Sequence, residues 1–248
     1  MSPQGSIETA TDRVFAEHVS IPAESGTLEG WLAYDADRTA CDGVVLLSPH
    51  PNFAGTMDNN VIKELAAYLS ASGYAALRFN YPGIGASTTA LPQGVSAFDY
   101  WDTLEREQRF AEAIRPARAA LDFLQDSLGG CLGQTHLIGY SFGGMIAMMM
   151  AGKMPHIGSA TAISLPWISR YTYDFLENVR CPKFFISGNK DFTFDTAIYR
   201  RVWLKVPAPK AFHLIDSDHF FRKRERELAG HVADFLARLK GSNDSRLE

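Results

Sequence analysis

The sequence predicts an α/β protein in which a mostly parallel sheet of about eight strands is covered by helices on both faces. Strand-like and helix-like segments alternate along most of the 248 residues. Several of the strand-like segments are strongly apolar, such as the run Val44 to Leu47, as expected of strands buried on both faces. Apolar residues make up 46% of the chain, which is enough for a sizeable core.

The predicted elements follow a regular order. Strands 14–21 and 27–34 are joined by the turn 24–27 and form a hairpin. Segment 81–99 is rich in Gly, Pro, Ser and Thr and is predicted to be a long loop. The remaining strands are predicted at 43–48, 75–79, 135–140, 157–165, 183–187 and 210–215, and the helices at 58–72, 101–128, 142–153, 195–205 and 221–240.

The length permits one large α/β domain or two small ones and does not choose between them. A single domain over residues 1–248 is expected. Within helical segment 101–128, Pro116 indicates either a kink or the start of a new helix. The polar tail 241–248 is expected to be frayed.

Charge and hydropathy argue against two classes of partner. The net charge is −4 and the sequence pI is about 6.0, so the basic face of a nucleic-acid-binding protein is not expected. No apolar run reaches the ~20 residues that a membrane helix needs, and no signal peptide is evident. We therefore expect neither nucleic acid nor a membrane as a partner.

The cysteines indicate the compartment. Cys41, Cys131 and Cys181 are odd in number and widely spaced, which fits neither a disulfide framework nor a zinc site. Free cysteines are typical of a reducing compartment, so a cytoplasmic location is expected.

A serine stands between two glycines where a predicted strand meets a predicted helix. The run Gly139-Tyr140-Ser141-Phe142-Gly143 fits the pattern G-x-S-x-G. Such a turn holds the serine in a strained conformation that exposes its hydroxyl, and residues two positions away must lack side chains. The alternative is a glycine-rich turn with an incidental serine. The pattern predicts that Ser141 is a nucleophile and that the N–H of Phe142, at the helix start, is an oxyanion donor.

A serine nucleophile needs a base, and His219 is the preferred candidate among the seven histidines. His219 follows the last predicted strand and precedes the last helix, so its ring can reach over the carboxyl edge of the sheet. The alternative is a solvated loop histidine.

The acid of such a triad comes between the serine and the histidine in chain order, and Asp191 follows strand 183–187. Asp191 can hold the imidazole of His219 in the required tautomer. The alternative for Asp191 is a turn or capping residue. The competing carboxylates are Asp195, which is expected to cap the next helix, the more distant Asp174 and Glu177, and Asp216 and Asp218, which are very close to His219 in sequence.

The loop after strand 43–48 lies where a second oxyanion donor is expected. Pro49 and Pro51 have no N–H, so the amide of Asn52 is the first candidate and that of Phe53 the second. His50 is expected to brace this loop by hydrogen bonding. It has no ligating partner at a suitable spacing, and no metal site is predicted.

Taken together, these stretches resemble the α/β-hydrolase superfamily, and more narrowly its small, lidless, dienelactone-hydrolase-like bacterial members. The chain departs from the family at Ala54-Gly55, where two glycines are common, and at Asn189, where an acid is common. The matching stretches follow the family's order across about 45–240 and read PHPNFAGTMDN at 49–59, LRFNYPGIG at 77–85, GYSFG at 139–143, GNKD at 188–191 and DHFF at 218–221.

The resemblance implies the α/β-hydrolase fold without a large cap domain, since the segment after strand 157–165 is short. Segment 92–115 is longer than the family's usual connection, and it is expected to be a helical or loop insertion that forms a small flap near the site.

The expected function is a serine hydrolase that cleaves a small-molecule carboxylic ester or thioester through an acyl-enzyme, without a cofactor. The apolar part of the substrate is expected in a pocket lined by Phe53, Trp101, Trp167 and Tyr171, with core packing as the alternative.

Two other functions are compatible with the sequence. One is a thioesterase or acyltransferase whose substrate is attached to an acyl carrier, and the other is a non-catalytic binding module on the same fold. The sequence predicts neither the acyl group nor the oligomeric state.

Overall fold

The computed structural model of the protein describes residues 14–24, 26–37, 40–88 and 91–244. The strands are β1 (Val14–Ala23), β2 (Gly26–Asp35), β3 (Cys41–Leu47), β4 (Ala75–Phe79), β5 (Leu132–Tyr140), β6 (Ser159–Ile163), β7 (Lys183–Gly188) and β8 (Lys210–Ile215). The helices are α1 (Asn60–Ala71), α2 (Ala97–Arg106), α3 (Phe110–Leu128), α4 (Phe142–Ala151), α5 (Thr196–Trp203) and α6 (Glu225–Asp244).

The described strands form one sheet in the order β1-β2-β4-β3-β5-β6-β7-β8. The first two pairings, β1 with β2 and β2 with β4, are antiparallel, and the other five are parallel. The predicted α/β class and mostly parallel sheet are therefore confirmed. Because β3, β5, β7 and β8 run in the same direction, the loops that follow them lie together at the carboxyl-terminal edge of the sheet, where these strands end.

The core consists of one apolar layer on each face of the sheet. One layer packs α1 and α6 against the sheet, with Leu65 and Leu228 fully buried. The other layer packs α3, α4 and α5, and it contains Leu121 and Met148. Helix α4 is buried on almost every side, which explains its methionine-rich sequence. Helices thus cover both faces, as predicted.

The helical segment 101–128 differs from its prediction. It contains two helices, and α2 begins earlier than expected, where the Ser96 side chain caps Asp99 N at 3.1 Å. The break comes at Gln108, whose φ of 53° cannot continue a helix. Pro116 lies inside α3, so the new start that it suggested is wrong.

Positive backbone angles also shift two other boundaries. Strand β6 ends before Ser164, which has a φ of 45°. Helix α6 starts at Glu225 rather than near 221, because Phe221 and Lys223 adopt φ values of 52° and 65°. It extends to Asp244, while the end of the predicted tail, 245–248, lies outside the described residues. So does Ser25 in the predicted hairpin turn.

The connection between β6 and β7 bears on access to the carboxyl-terminal edge of the sheet. Between β6 and β7 the described chain contains only a short 3-10 turn, Asp174–Asn178, and no cap domain. Among the described helices, none combines the length and the apolar character that a bilayer-spanning helix requires.

Candidate active site

Ser141 occupies a sharp turn between β5 and α4. Its φ of 54° and ψ of −117° lie outside the regions that L-residues normally adopt, and its N–H donates to Ile163 O at 2.7 Å. A Cβ on Gly139 would overlap the backbone of Gly143, and a Cβ on Gly143 would overlap the carbonyl oxygens of Leu47 and Ser48. The two glycines therefore allow the turn to close against the end of β3, as the motif predicted.

Gly143→Ala is expected to destabilise the protein because the added methyl group meets main-chain atoms that cannot move aside. A cost of about 3 kcal/mol, the upper end for overpacked interiors, corresponds to a melting temperature lower by roughly 6–12 °C. The matched control is Gly130→Ala, where no atom lies within 4 Å of the new Cβ. Calorimetry that finds the same melting temperature for both variants would contradict this account of the turn.

His219 and Asp191 form a hydrogen-bonded pair at the same edge of the sheet. Nδ1 of His219 lies 2.9 and 3.0 Å from the two carboxylate oxygens of Asp191. The Asp191 side chain has no exposed surface, and that of His219 is 9% exposed. Because an ionised carboxylate only accepts, Nδ1 carries the proton and the lone pair is on Nε2. This is the tautomer that can accept a proton from a serine.

Thr193 completes the surroundings of the carboxylate. Its N–H and its hydroxyl both donate to Oδ1 of Asp191 at 2.8 Å. Burial by itself raises the pKa of Asp191, but hydrogen bonding to His219, the charge of that imidazole and the Thr193 bond outweigh it and hold the pKa below its ordinary value. Asp191 is thus kept ionised beside the imidazole.

Four of the five competing carboxylates have other partners. Asp195 accepts from the N–H groups of Ala197 and Ile198 and caps α5, as expected. Asp174 lies in the 3-10 turn after β6. The other three are engaged as follows: Glu177 pairs with Lys205 at 3.1 Å, Asp216 with Lys190 at 2.8 Å, and Asp218 accepts from Phe220 N at 2.9 Å.

The loop after β3 is held by His50, as the sequence predicted. Nδ1 of His50 accepts from Asn52 N, and Nε2 donates to Trp101 O of α2, both at 3.2 Å. Burial lowers the pKa of His50 below its ordinary value, although the charge of Glu105, 3.7 Å from Nε2, opposes this shift. His50 is therefore a neutral imidazole that links the loop to α2.

The candidate oxyanion donors have different surroundings. Phe142 is the first residue of α4, where N–H groups have no acceptor within their own helix. The N–H of Asn52 is directed at His50, and that of Phe53 donates to His50 O at 2.9 Å. A developing oxyanion would have to share the Asn52 hydrogen with the His50 ring, so the donor role of Asn52 stays a prediction.

His50→Ala is expected to lower kcat roughly 10–100-fold, the scale on which small misplacements of catalytic groups act. Without the ring, the loop loses its link to Trp101 O and Asn52 N loses its acceptor. The matched control is the exposed His156→Ala. Steady-state kinetics in which both variants retain the wild-type kcat would show that the loop does not depend on His50.

The predicted pocket residues lie in different environments. Phe53 is 73% exposed and packs against His50 at 5.5 Å between ring centroids. Tyr171 is nearly buried and donates its hydroxyl to Glu105. Trp101 and Trp167 have no exposed surface and belong to the core, Trp101 against Phe142 and Trp167 against Tyr173 and Phe185. Their proposed contact with substrate stays a prediction.

The segment expected as a flap contacts the loop after β3. The side-chain amide of Asn52 donates to Phe98 O at 2.9 Å, beside the His50 bond to Trp101 O.

Two residues of the site, Tyr140 and Thr193, were not singled out from the sequence. Tyr140 donates its hydroxyl to His219 O at 2.6 Å, and its ring centroid lies 5.5 Å from the imidazole. No sequence pattern indicates the Tyr140 contact, which joins residues 79 positions apart, whereas Thr193 contacts Asp191 only two residues away.

The described residues contain no cluster of His, Cys, Asp and Glu side chains suited to hold a metal ion. The groups available for chemistry at this edge are thus a strained serine, an imidazole with an ionised carboxylate behind it, and backbone N–H donors at a helix start.

Comparison with known proteins gives three kinds of match. A model of the α/β hydrolase fold matches residues 50–177, just over half of the chain. An uncharacterised protein of Rickettsia prowazekii is 29% identical over 226 residues, which cover 88% of this chain and 87% of that protein.

The solved structures extend the likeness to nearly the whole chain. A protein of unknown function from Agrobacterium tumefaciens matches with a TM-score of 0.75 and 26% identity, covering 91% of this chain and 97% of that one. An α/β serine hydrolase homologue from Coxiella burnetii matches with a TM-score of 0.71 and 21% identity, over 88% and 96% of the two chains. At that identity the likeness concerns the fold.

Proposed function

Since the chain belongs to the α/β hydrolase fold family, we propose that it is a serine hydrolase that cleaves a carboxylic ester or thioester. The observation that carries the proposal is the pair His219–Asp191, with Nδ1 2.9 Å from the carboxylate, at the sheet edge where Ser141 occupies its strained turn. Binding alone needs neither a strained serine nor an oriented base, so this combination favours catalysis over a binding module.

The proposed reaction begins with attack of Ser141 Oγ on the substrate carbonyl carbon. Nε2 of His219 accepts the hydroxyl proton, and Asp191 stabilises the imidazolium that forms. Collapse of the tetrahedral intermediate breaks the bond to the leaving group, which takes the proton from His219. The acyl group is then on Ser141.

Deacylation reverses these roles. Water attacks the acyl-enzyme while His219 accepts one of its protons, and the acid product leaves when Ser141 regains its proton. The negative charge on the substrate oxygen in both steps is stabilised by the N–H of Phe142 at the helix start and by that of Asn52. Every step uses groups of this chain, and no cofactor takes part.

The substrate class is tested with a panel in which only the acyl group and the scissile atom change. Wild-type protein is assayed with p-nitrophenyl esters of short and medium acyl chain length and with matched acyl thioesters. Serine-dependent turnover of either series supports the proposal. Absence of turnover together with no labelling by a fluorophosphonate would instead favour the binding module.

The same panel separates the remaining alternatives. A large preference for thioesters over oxygen esters of equal length would favour the thioesterase or acyltransferase that acts on carrier-bound acyl groups. We also propose a cytoplasmic location, because Cys41, Cys131 and Cys181 are free thiols, as is usual in a reducing compartment.

A further inference from the structure

His219 lies after a strand that is separated from the strand before Ser141 by two others. The nucleophile follows β5, while His219 follows β8, and strands β6 and β7 lie between them. Each strand adds about 4.8 Å to the separation. For His219 to act on Ser141, the segment 216–219 must extend across the sheet edge and be held at its far end.

Backbone contacts hold this segment on the β7 side. Lys190 N donates to Ser217 O, and Asn189 N donates to Ile215 O, both at 2.9 Å. Gly188 lets the chains approach this closely, since a Cβ there would overlap the carbonyl oxygens of Ser217 and Asp218. These contacts fix the segment relative to Asp191, but they do not reach β5.

Tyr140 makes the connection to β5. It is the last residue of β5 and is covalently adjacent to Ser141, and its hydroxyl donates to the backbone oxygen of His219 at 2.6 Å. The ring is 3% exposed and packs between the imidazole and Phe221, with centroids 5.5 and 6.2 Å away. Burial, together with the charges of Asp191 and Asp218, raises the pKa of Tyr140, so it remains a hydrogen-bond donor.

We propose that Tyr140 is a positioning residue that sets the distance between Nε2 of His219 and Oγ of Ser141. This inference rests on the proposed function. The rigid phenol joins the residue before the nucleophile to the backbone of the base, while Asp191 fixes the orientation of the imidazole from the other side. These two hydrogen bonds, from Tyr140 to the backbone of His219 and from the imidazole to Asp191, leave the imidazole little freedom to move away from the serine.

Displacement of His219 is expected to impair proton transfer rather than substrate binding. His219 must be within hydrogen-bond reach of the serine hydroxyl and then of the leaving-group oxygen. A p-nitrophenolate leaves without a proton, whereas an alkoxide from an alkyl ester needs one. A misplaced histidine therefore impairs alkyl esters more than p-nitrophenyl esters, although both contain the same acyl group.

The test is Tyr140→Phe, assayed with p-nitrophenyl acetate and with ethyl acetate. We expect kcat for ethyl acetate to fall roughly 10–100-fold, as for other small displacements of catalytic groups. The fall for p-nitrophenyl acetate is expected to be several-fold smaller, and KM is expected to change less than about threefold for both, since ground-state binding is not involved.

The matched control is Tyr81→Phe. Tyr81 is also fully buried, and its hydroxyl has no hydrogen-bond partner among the described residues. Loss of this hydroxyl is expected to leave both kcat values unchanged. A second variant, Tyr140→4-aminophenylalanine, keeps a donor at the same place and is expected to restore most of the ethyl acetate activity.

The proposal is overturned if Tyr140→Phe keeps the wild-type kcat, or if both esters lose activity by the same factor, as a general loss of folded protein would cause. It is also overturned if Tyr140→4-aminophenylalanine, which keeps the donor, folds but does not recover the activity toward ethyl acetate relative to that toward p-nitrophenyl acetate. A wild-type protein that hydrolyses neither ester, nor any of the panel above, would instead refute the proposed function and this inference with it.

Discussion

Ser141→Ala is expected to lower kcat at least about 10⁴-fold for every ester that the wild-type protein hydrolyses, the scale seen when a triad nucleophile is removed. The variant lacks the hydroxyl oxygen that the proposed mechanism acylates, while His219, Asp191 and the backbone donors remain. Residual activity would come from water activated by His219. The change removes one oxygen atom from a half-exposed side chain, so the melting temperature is expected to change little.

A matched control for this variant is Ser70→Ala. Ser70 is a buried serine on α1, on the face of the sheet packed by α6, and its hydroxyl donates to Ala67 O at 3.1 Å. The kcat of Ser70→Ala is expected to equal that of the wild type. If Ser141→Ala kept more than a few per cent of the wild-type activity, with protein purity verified, the nucleophile would have to be another group.

Asp191→Asn is expected to lower kcat about 10⁴-fold with the fold intact, as the same exchange does in other triads. The carboxylate now accepts the Nδ1 proton of His219 at 2.9 Å and two bonds from Thr193 at 2.8 Å. The Thr193 donors hold the amide oxygen of an asparagine at the Oδ1 position, which places its NH₂ group at the Oδ2 position, 3.0 Å from Nδ1. The imidazole must then carry its proton on Nε2, where it cannot accept the serine proton.

The measurement is steady-state kinetics together with the rate of fluorophosphonate labelling, which also requires the base. The matched control is Asp216→Asn, because Asp216 is an exposed carboxylate on the same segment as His219 and pairs with Lys190. We expect near wild-type values for the control. Loss of activity in Asp216→Asn but not in Asp191→Asn would reverse the assignment of the acid.

The sequence predicted those features that depend on local physics. Apolar runs, together with the hairpin turn that joins the first two strands, identified the eight strands of the sheet. The pattern G-x-S-x-G identified the turn at Ser141, since only glycine fits where a Cβ would overlap backbone atoms. Chain order and the placement of loops after parallel strands were enough to pair Asp191 with His219. Each of these inferences needs only near neighbours or the direction of a strand.

Features that depend on tertiary contacts were not predicted. Gln108, Phe221 and Lys223 have no residue type that indicates a positive φ, yet they determine where α3 and α6 begin. The burial of Trp101 follows from the packing of α2 against Phe142, which periodicity does not reveal. The Tyr140 contact joins residues 79 positions apart in the chain.

The central claim is that Ser141 carries the acyl group during turnover. It is tested most directly by labelling the wild-type protein with a fluorophosphonate and mapping the adduct by peptide mass spectrometry, while the remaining esterase activity is followed in the same sample. The account predicts one adduct per chain, on Ser141, with activity lost in proportion to labelling. An adduct on another residue, or full activity with Ser141 completely labelled, would contradict it.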